Sequence, residues 1–495
     1  QSVAILAQEL KNMPSGPWRW AVACAVISTC VDGAHRVVLD LQAKHTLVRN
    51  AATVQQRRQL QGRGFEVSLA NYDNVQYQLS LEVGTPCAGK RSQWFTVVPD
   101  TGSSGLWIPA ANCTSCSYSQ TPNASAYDAS LSCSHKDLGT RVDFKYGDGT
   151  AATGVAVLDN IRLGQLQVEH QYLIQVDALE QIARMRSDGI LGLAHRYQNG
   201  GGHSGNATFM ETLFRQHPDL PQQFSLSLTT AEGLSKLVVG EPDLEEHAQE
   251  DQFHYGKSWY MDETELWLTS VWSLGWSGTG VERDFAESGS AGVAALVDSG
   301  SSLIVLVPAV FDYMMGHLRR YLNNCEMDYN ENVLNCDCPS DREMERIPSL
   351  VVNLITEKDE QYPLCMAPSE FILRSLDEFL APSRCVPAIQ RGDLKQPVPI
   401  IVGMTFMRAF YTNFDLKANA IGFARSKHSP MKSGAVCKIH EEVMTRTIMW
   451  AMALMAAILS VFLMLIVCFV SPKAGRSRDT PMASLAGSTY HVQPG

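Results

Sequence analysis

Over most of its length the chain sets apolar against polar positions in short alternating stretches, the pattern of β-structure. Tyr77 to Val83 alternates strictly ahead of the turn Gly84-Thr85-Pro86, which predicts a half-buried strand. Trp94–Val98 and Val293–Val297 are short continuous apolar runs, as expected of strands covered on both faces. Short strands and glycine-containing turns continue to about Lys427. Helical periodicity is clearest at Phe311–Leu322 and around Phe371–Phe379. One segment breaks the pattern. Ile448 to Val470 carries no charge and a single hydroxyl, Ser460, and as a helix it is long enough to cross a ~30 Å hydrocarbon core. The competing reading is a buried core helix.

The two apolar runs lead into the same short motif. Asp100-Thr101-Gly102-Ser103-Ser104 follows the first, and Asp298-Ser299-Gly300-Ser301-Ser302 follows the second. Each is succeeded by further apolar residues, Leu106-Trp107-Ile108 and Leu303 to Val307. A carboxylate at the end of a buried strand, followed by a glycine that permits a tight turn, presents a charge at a rigid site. Two such sites brought face to face would oblige two carboxyls to share a proton. The repetition extends further. Asp188-Gly189-Ile190-Leu191-Gly192-Leu193 follows the first motif, and Pro399-Ile400-Ile401-Val402-Gly403-Met404 follows the second. A duplication on this scale predicts two lobes with a cleft between them.

Composition narrows the class. The 495 residues are 45% hydrophobic and 18% charged, in the globular range. A net charge of −11 argues against a general nucleic-acid binder. Of 13 cysteines, Cys24 and Cys30 lie near the N-terminus and Cys468 in the apolar segment. An even set is left: Cys87, Cys113, Cys116, Cys133, Cys325, Cys336, Cys338, Cys365, Cys385 and Cys437. That usage suits disulfides in an oxidising compartment. Cys113 and Cys116 have no partner pair at zinc-ligand spacing and no surrounding βαβ pattern, so they read as a surface-loop disulfide. Glycosylation sequons stand at Asn112, Asn123 and Asn206. The histidines form no metal-binding motif, and no metal or cofactor is implied.

The chain ends suggest a route. Residues 1–34 read as a signal-peptide region, with a possible start at Met13, a weakly basic lead and the apolar stretch Ala21–Thr29. Residues 35–70 begin with a basic stretch carrying Arg36, Lys44, Arg49, Arg57, Arg58 and Arg63 against Asp40. It reads either as a solvated linker or as a removable pro-segment, with Arg57-Arg58 as the cleavage point. Residues 428–447 read as a juxtamembrane stem, 448–470 as one transmembrane helix and 471–495 as a cytosolic tail. Lys473, Arg476 and Arg478 follow the span and Glu441 and Glu442 precede it, the charge bias of a type I single-pass protein. The body of the chain is then lumenal or extracellular, in the Golgi, endosome or vacuole, or at the cell surface.

Asn74 to Lys427 resembles the pepsin-like aspartic proteases. The stretches that carry the resemblance are VGTP, VVPDTGSSGLWIPAANC, FKYGDGTAATG, SDGILGLAHR, LVVGEPD, ALVDSGSSLIVLVP and PIIVGMTFMRAFYTNFD, in the family's order. The resemblance implies a mainly β, bilobal fold, with lobes 71–240 and 241–427 and an active-site cleft between them. It implies that Asp100 and Asp298 are the catalytic pair. Thr101 and Ser299 would lock the two loops together, Ser103 and Ser301 would bond the carboxylates, and Gly102 and Gly300 would let the loops approach. Tyr146-Gly147-Asp148-Gly149 would form a flap over substrate, with Tyr146 bonded to Trp107 and Ile190 lining the cleft. Cys338 and Cys385 would form a disulfide. The implied activity is hydrolysis of polypeptide substrates by water, without cofactor, in a monomer, since one chain carries both motifs. A catalytically silent, membrane-tethered peptide-binding protein is the alternative on the same fold. The chain departs from the family at Pro99, which removes a backbone donor, and at Ser187, where an aromatic residue commonly lines the cleft. With Arg184 and Arg186 close by, that subsite would be smaller or more polar.

Overall fold

The alternation of Tyr77–Val83 is realised as the strand Gln76–Val83, whose residues are buried one by one in turn. It belongs to an eight-stranded sheet that forms the N-terminal lobe of a computed structural model. The structure describes residues 64–470, apart from 73, 75, 117–125, 147–149, 181–184, 196–205, 260–265, 286–291, 375–383, 395–397, 435–436 and 440–442. The signal-peptide region, the basic stretch up to Arg63, Asn123, Arg184, the flap residues Gly147 to Gly149 and the tail 471–495 therefore lie outside the described residues.

Four strands at the heart of each lobe repeat one arrangement. In the N-terminal lobe, Trp94–Asp100 runs parallel to Gly189–Gly192. That strand is antiparallel to Leu106–Pro109, which in turn runs parallel to Leu166–Glu180. In the C-terminal lobe, Val293–Val297 runs parallel to Ile400–Val402. That strand is antiparallel to Ile304–Leu306, which runs parallel to Ile389–Arg391. The sequence repeat is thus a repeat of topology, and it delivers the two aspartate loops as counterparts. A six-stranded sheet joins the halves, in the order Gly64–Ser68, Lys236–Gly240, Gln223–Ser227, Phe410–Asp415, Ala420–Arg425 and His254–Gly256. Its central seam pairs Gln223–Ser227 with Phe410–Asp415.

Several boundaries shift. Gly64–Ser68 and Ala70–Tyr72 are strands of the folded unit, so a segment removable up to residue 70 would take sheet residues with it. The helix expected from Phe311 begins at Pro308, whose fixed φ and missing N–H suit a first helical position, and it ends at Leu318. The expected helix around Phe371–Phe379 is mostly not one. Pro368–Phe371 makes a single turn, after which Ile372–Arg374 pairs as a strand with Arg384–Pro387. Cross-strand pairing has overridden local propensity there.

All of the expected lumenal cysteines are paired. The bridges are Cys87–Cys133, Cys113–Cys116, Cys325–Cys336, Cys338–Cys385 and Cys365–Cys437. The last of these corrects the stem. Gln249 Nε2–H bonds the carbonyls of Ser426, Ser429 and Met431. Gly278 N–H and Gly280 N–H donate to the carbonyls of Lys438 and Ile439. Cys437 and Ile439 are buried against Val351 and Cys365. The segment from His428 to Ile439 is therefore part of the folded body, and the chain divides after Ile439. Among its described residues, the second unit holds the helix Val443–Val470. Its described side chains, those of 452–465, are exposed and apolar except for Ser460. Among the residues whose side chains are described, which in this helix are 452–465, no helix is long and apolar enough to cross a membrane.

Candidate active site

Asp100 is the last residue of its strand, and Asp298 directly follows the matching one. Each is buried, at 5% and 9% exposure, where an ionised carboxylate needs hydrogen bonds or a proton. Both are supplied with the same donors. Asp100 accepts from Gly102 N–H at 2.9 Å and Ser103 Oγ at 2.5 Å. Asp298 accepts from Gly300 N–H at 2.8 Å and Ser301 Oγ at 2.6 Å. The glycines do a second job. A Cβ on Gly102 would stand 2.5 Å from Asp298 Oδ1, and one on Gly300 would overlap Asp100 Oδ1. Each loop's glycine thus lies against the opposite carboxyl.

The hydroxyls between aspartate and glycine tie the loops across the lobe boundary. Thr101 Oγ1 donates to Val297 C=O at 2.8 Å and accepts from Ser299 N–H at 2.8 Å. Ser299 Oγ donates to Pro99 C=O at 2.7 Å and accepts from Thr101 N–H at 3.0 Å. These bonds are buried, so removing one partner strands the other out of reach of water.

The electrostatic consequence appears at Asp100. Burial holds its carboxyl well above the usual carboxylate range, and the neighbouring Asp298 adds to the shift by charge and by hydrogen bonding. Donation from Ser103 and Gly102 pulls the other way. A pair that keeps one proton between two buried carboxyls holds an acid and a base in one place.

The expected bond between Trp107 and Tyr146 is present. Lys136–Lys145 and Ala151–Leu163 form an antiparallel hairpin. Tyr146 at its end accepts from Trp107 Nε1–H at 2.7 Å. Trp107 is fully buried, and Ile190 packs against its cluster. Asp188 is a scaffold residue that the sequence did not mark as one. Its Oδ2 accepts from Thr96 N–H at 2.7 Å and Thr96 Oγ1 at 2.9 Å, tying its loop to the strand that ends at Asp100.

Both departures from the family resolve locally. Pro99 lies beyond the last antiparallel pair of its strand, Leu79 with Val97, so no ladder bond on that side is lost. Its counterpart Val297 does have an N–H, which donates to Trp267 C=O at 3.0 Å. Ser187 is fully buried, with Oγ donating to Gly189 C=O at 3.1 Å. It is a backbone support and not an exposed lining residue, which corrects the expectation of a polar subsite there. Of the sequons, Asn112 and Asn206 are exposed. Among the described residues, no group of His, Cys, Asp or Glu could hold a metal ion.

Two β-lobes that repeat one topology, joined at paired aspartate loops, define the aspartic protease class. The chain belongs to the eukaryotic aspartyl protease family, which it matches over residues 76–426, and it is an aspartic endopeptidase. It is similar to vacuolar protease A of Neurospora crassa, at 26% identity over 366 residues, 73% of this chain and 81% of the relative. It is also similar to a vacuolar aspartic protease of Candida albicans, at 24% over 411 residues, 80% and 85% of the two chains. Renin of Canis lupus familiaris is 28% identical over 371 residues, 73% and 82% of the two chains.

Proposed function

We propose that Asp100 and Asp298 are the acid–base pair of this endopeptidase, tethered in the endomembrane system with its protease unit on the lumenal side. The observation that carries the dyad is the crossed packing of each motif's glycine against the other motif's aspartate. In the reaction, the ionised carboxyl takes a proton from a water held between the two. That water attacks the peptide carbonyl, and the protonated carboxyl donates to the carbonyl oxygen. The intermediate is a tetrahedral diol, with no bond between enzyme and substrate. Protonation of the amine and collapse of the diol then release two peptides. Tyr146, at the end of the hairpin, closes over the extended substrate, and Ile190 and the flap line its path.

Asp298→Asn and Asp100→Asn each remove the exchangeable proton site while keeping shape. We expect each to lower kcat by roughly 10²–10⁴-fold, with a statine-type mimic still binding the wild type tightly. Full activity in either variant refutes the assignment.

The tether rests on the uncharged segment Ile448–Val470, which forms part of one helix, and on the exposure of its described apolar side chains. The endomembrane route rests on the all-disulfide cysteine usage, on the exposed Asn112 and Asn206, and on the vacuolar names of two relatives. External protease added to sealed vesicles should trim only residues 471–495, leaving the protease unit intact. Loss of that unit under the same treatment reverses the orientation.

A further inference from the structure

Trp267 is fully buried just ahead of the strand Leu268–Trp276, and its sequence context marks it as nothing more than an apolar residue. Its hydrogen bonds are another matter. Its C=O accepts from the N–H of Val297, the residue before Asp298, at 3.0 Å. Its indole Nε1–H crosses to the other lobe and donates to Leu193 C=O at 3.0 Å. Leu193 N–H donates to Asp100 C=O at 2.7 Å. Thr101 Oγ1 then returns across the boundary to Val297 C=O at 2.8 Å. The four bonds close a circuit through Trp267, Leu193, Asp100-Thr101 and Val297.

We infer that Trp267 is a positioning residue for the dyad, setting the distance and tilt between the two carboxyls without touching either. The inference rests on the assignment of Asp100 and Asp298 as the acid–base pair. A tryptophan that merely filled the core would have no reason to aim its indole N–H across the lobe boundary at Leu193, which is bonded to Asp100, while its carbonyl holds Val297, the residue before Asp298. The circuit is also one-sided. Pro99, the counterpart of Val297, has no N–H, so the mirror-image bond cannot form and the constraint falls on Trp267. The indole is held for the task. Its ring packs edge-on to Phe414 and Phe224, at 5.2 and 6.1 Å between centroids, and lies 3.9 Å from His195. The titratable groups around it are His195 on the ring face, Glu211 acting on that histidine, and the two aspartates beyond the circuit.

Coupling between like charges splits the two titration steps of a carboxyl pair. Slack in the circuit weakens the coupling, so the lower step rises and the upper step falls. The bell of kcat/KM against pH should then narrow from both sides.

The test uses the full chain with benzothienylalanine at position 267, in which sulfur replaces the indole N–H and the ring shape is kept. Expected is a kcat lower by about tenfold or more, with KM within about twofold and a narrower bell. The narrowing should persist in a His195→Gln background, which removes the titratable neighbour of the ring. Phe371→Leu loosens the same core at Trp276, away from the circuit, and should lower Tm while leaving both pH limbs in place. An isostere with wild-type kcat and both limbs unmoved overturns the inference. So does a Phe371→Leu variant that narrows the bell equally, since packing alone would then account for the effect. Full activity in Asp298→Asn overturns the dyad assignment beneath it, whatever position 267 does.

Discussion

At the residue scale, the site is held by atoms with no room to move. Gly102→Ala would press a methyl group against Asp298, a close approach that neither backbone loop can relieve without breaking the Thr101 and Ser299 bonds. We expect a folded protein with activity reduced by about 10²-fold or more, measured as kcat on a peptide substrate. Thr101→Val keeps shape and removes the hydroxyl, leaving Ser299 N–H and Val297 C=O buried without a partner. Each orphaned group costs about 1–3 kcal/mol. Thermal melting should therefore show a clear fall in Tm, and an unchanged Tm would mean that the loops are tied together elsewhere. The aspartates and glycines were legible in the sequence because the motif occurs twice, and the locking hydroxyls because the family resemblance assigns them that place. Trp267 was not legible, because its role depends on partners, Leu193 and Val297, that only the fold brings together.

At the element scale, the strands followed their alternation wherever one face met the core, as in Gln76–Val83. The failures came where a neighbour decided the outcome. Ile372–Arg374 carries apolar residues that could suit a helix, but a waiting strand, Arg384–Pro387, offered it backbone bonds. The stem misled for the same reason. His428–Ile439 has the polar composition of a linker, yet Gln249, the loop Gly278–Gly280 and the Cys365–Cys437 bridge give it partners that sequence spacing does not announce. Cys437→Ser should free the segment and cost about 2–4 kcal/mol. Hydrogen exchange would show residues 428–439 losing protection, while the strands around Asp100 keep theirs.

At the scale of the whole molecule, the buried dyad ties stability to pH. A carboxyl raised above its unfolded value favours the native state when protonated, so this contribution is present in full below the ordinary aspartate range. It is lost as pH rises toward the raised value at Asp100. Tm of the wild type should therefore fall as pH is raised across the mildly acidic to neutral range. Asp100→Asn, which cannot ionise, should flatten that part of the curve, and two parallel curves would mean that the pair does not share a proton. In the proposed mechanism catalysis has the same sign, because the acid member must keep its proton. The two-lobed plan was legible from the duplicated motif. The sheet that joins the lobes was not, because its strands come from the start, the middle and the end of the protease unit and its central seam pairs Gln223–Ser227 with Phe410–Asp415.

The docked stem also governs how the protease unit could be set free. A cut anywhere between Cys365 and Cys437 leaves both fragments joined through sulfur. Only a cut beyond Cys437 parts the unit from the apolar helix that begins at Val443, and Lys438 and Ile439 are already bonded into the fold. Release from the proposed anchor thus comes down to the short stretch between Ile439 and the span, or else requires the bridge to be reduced first.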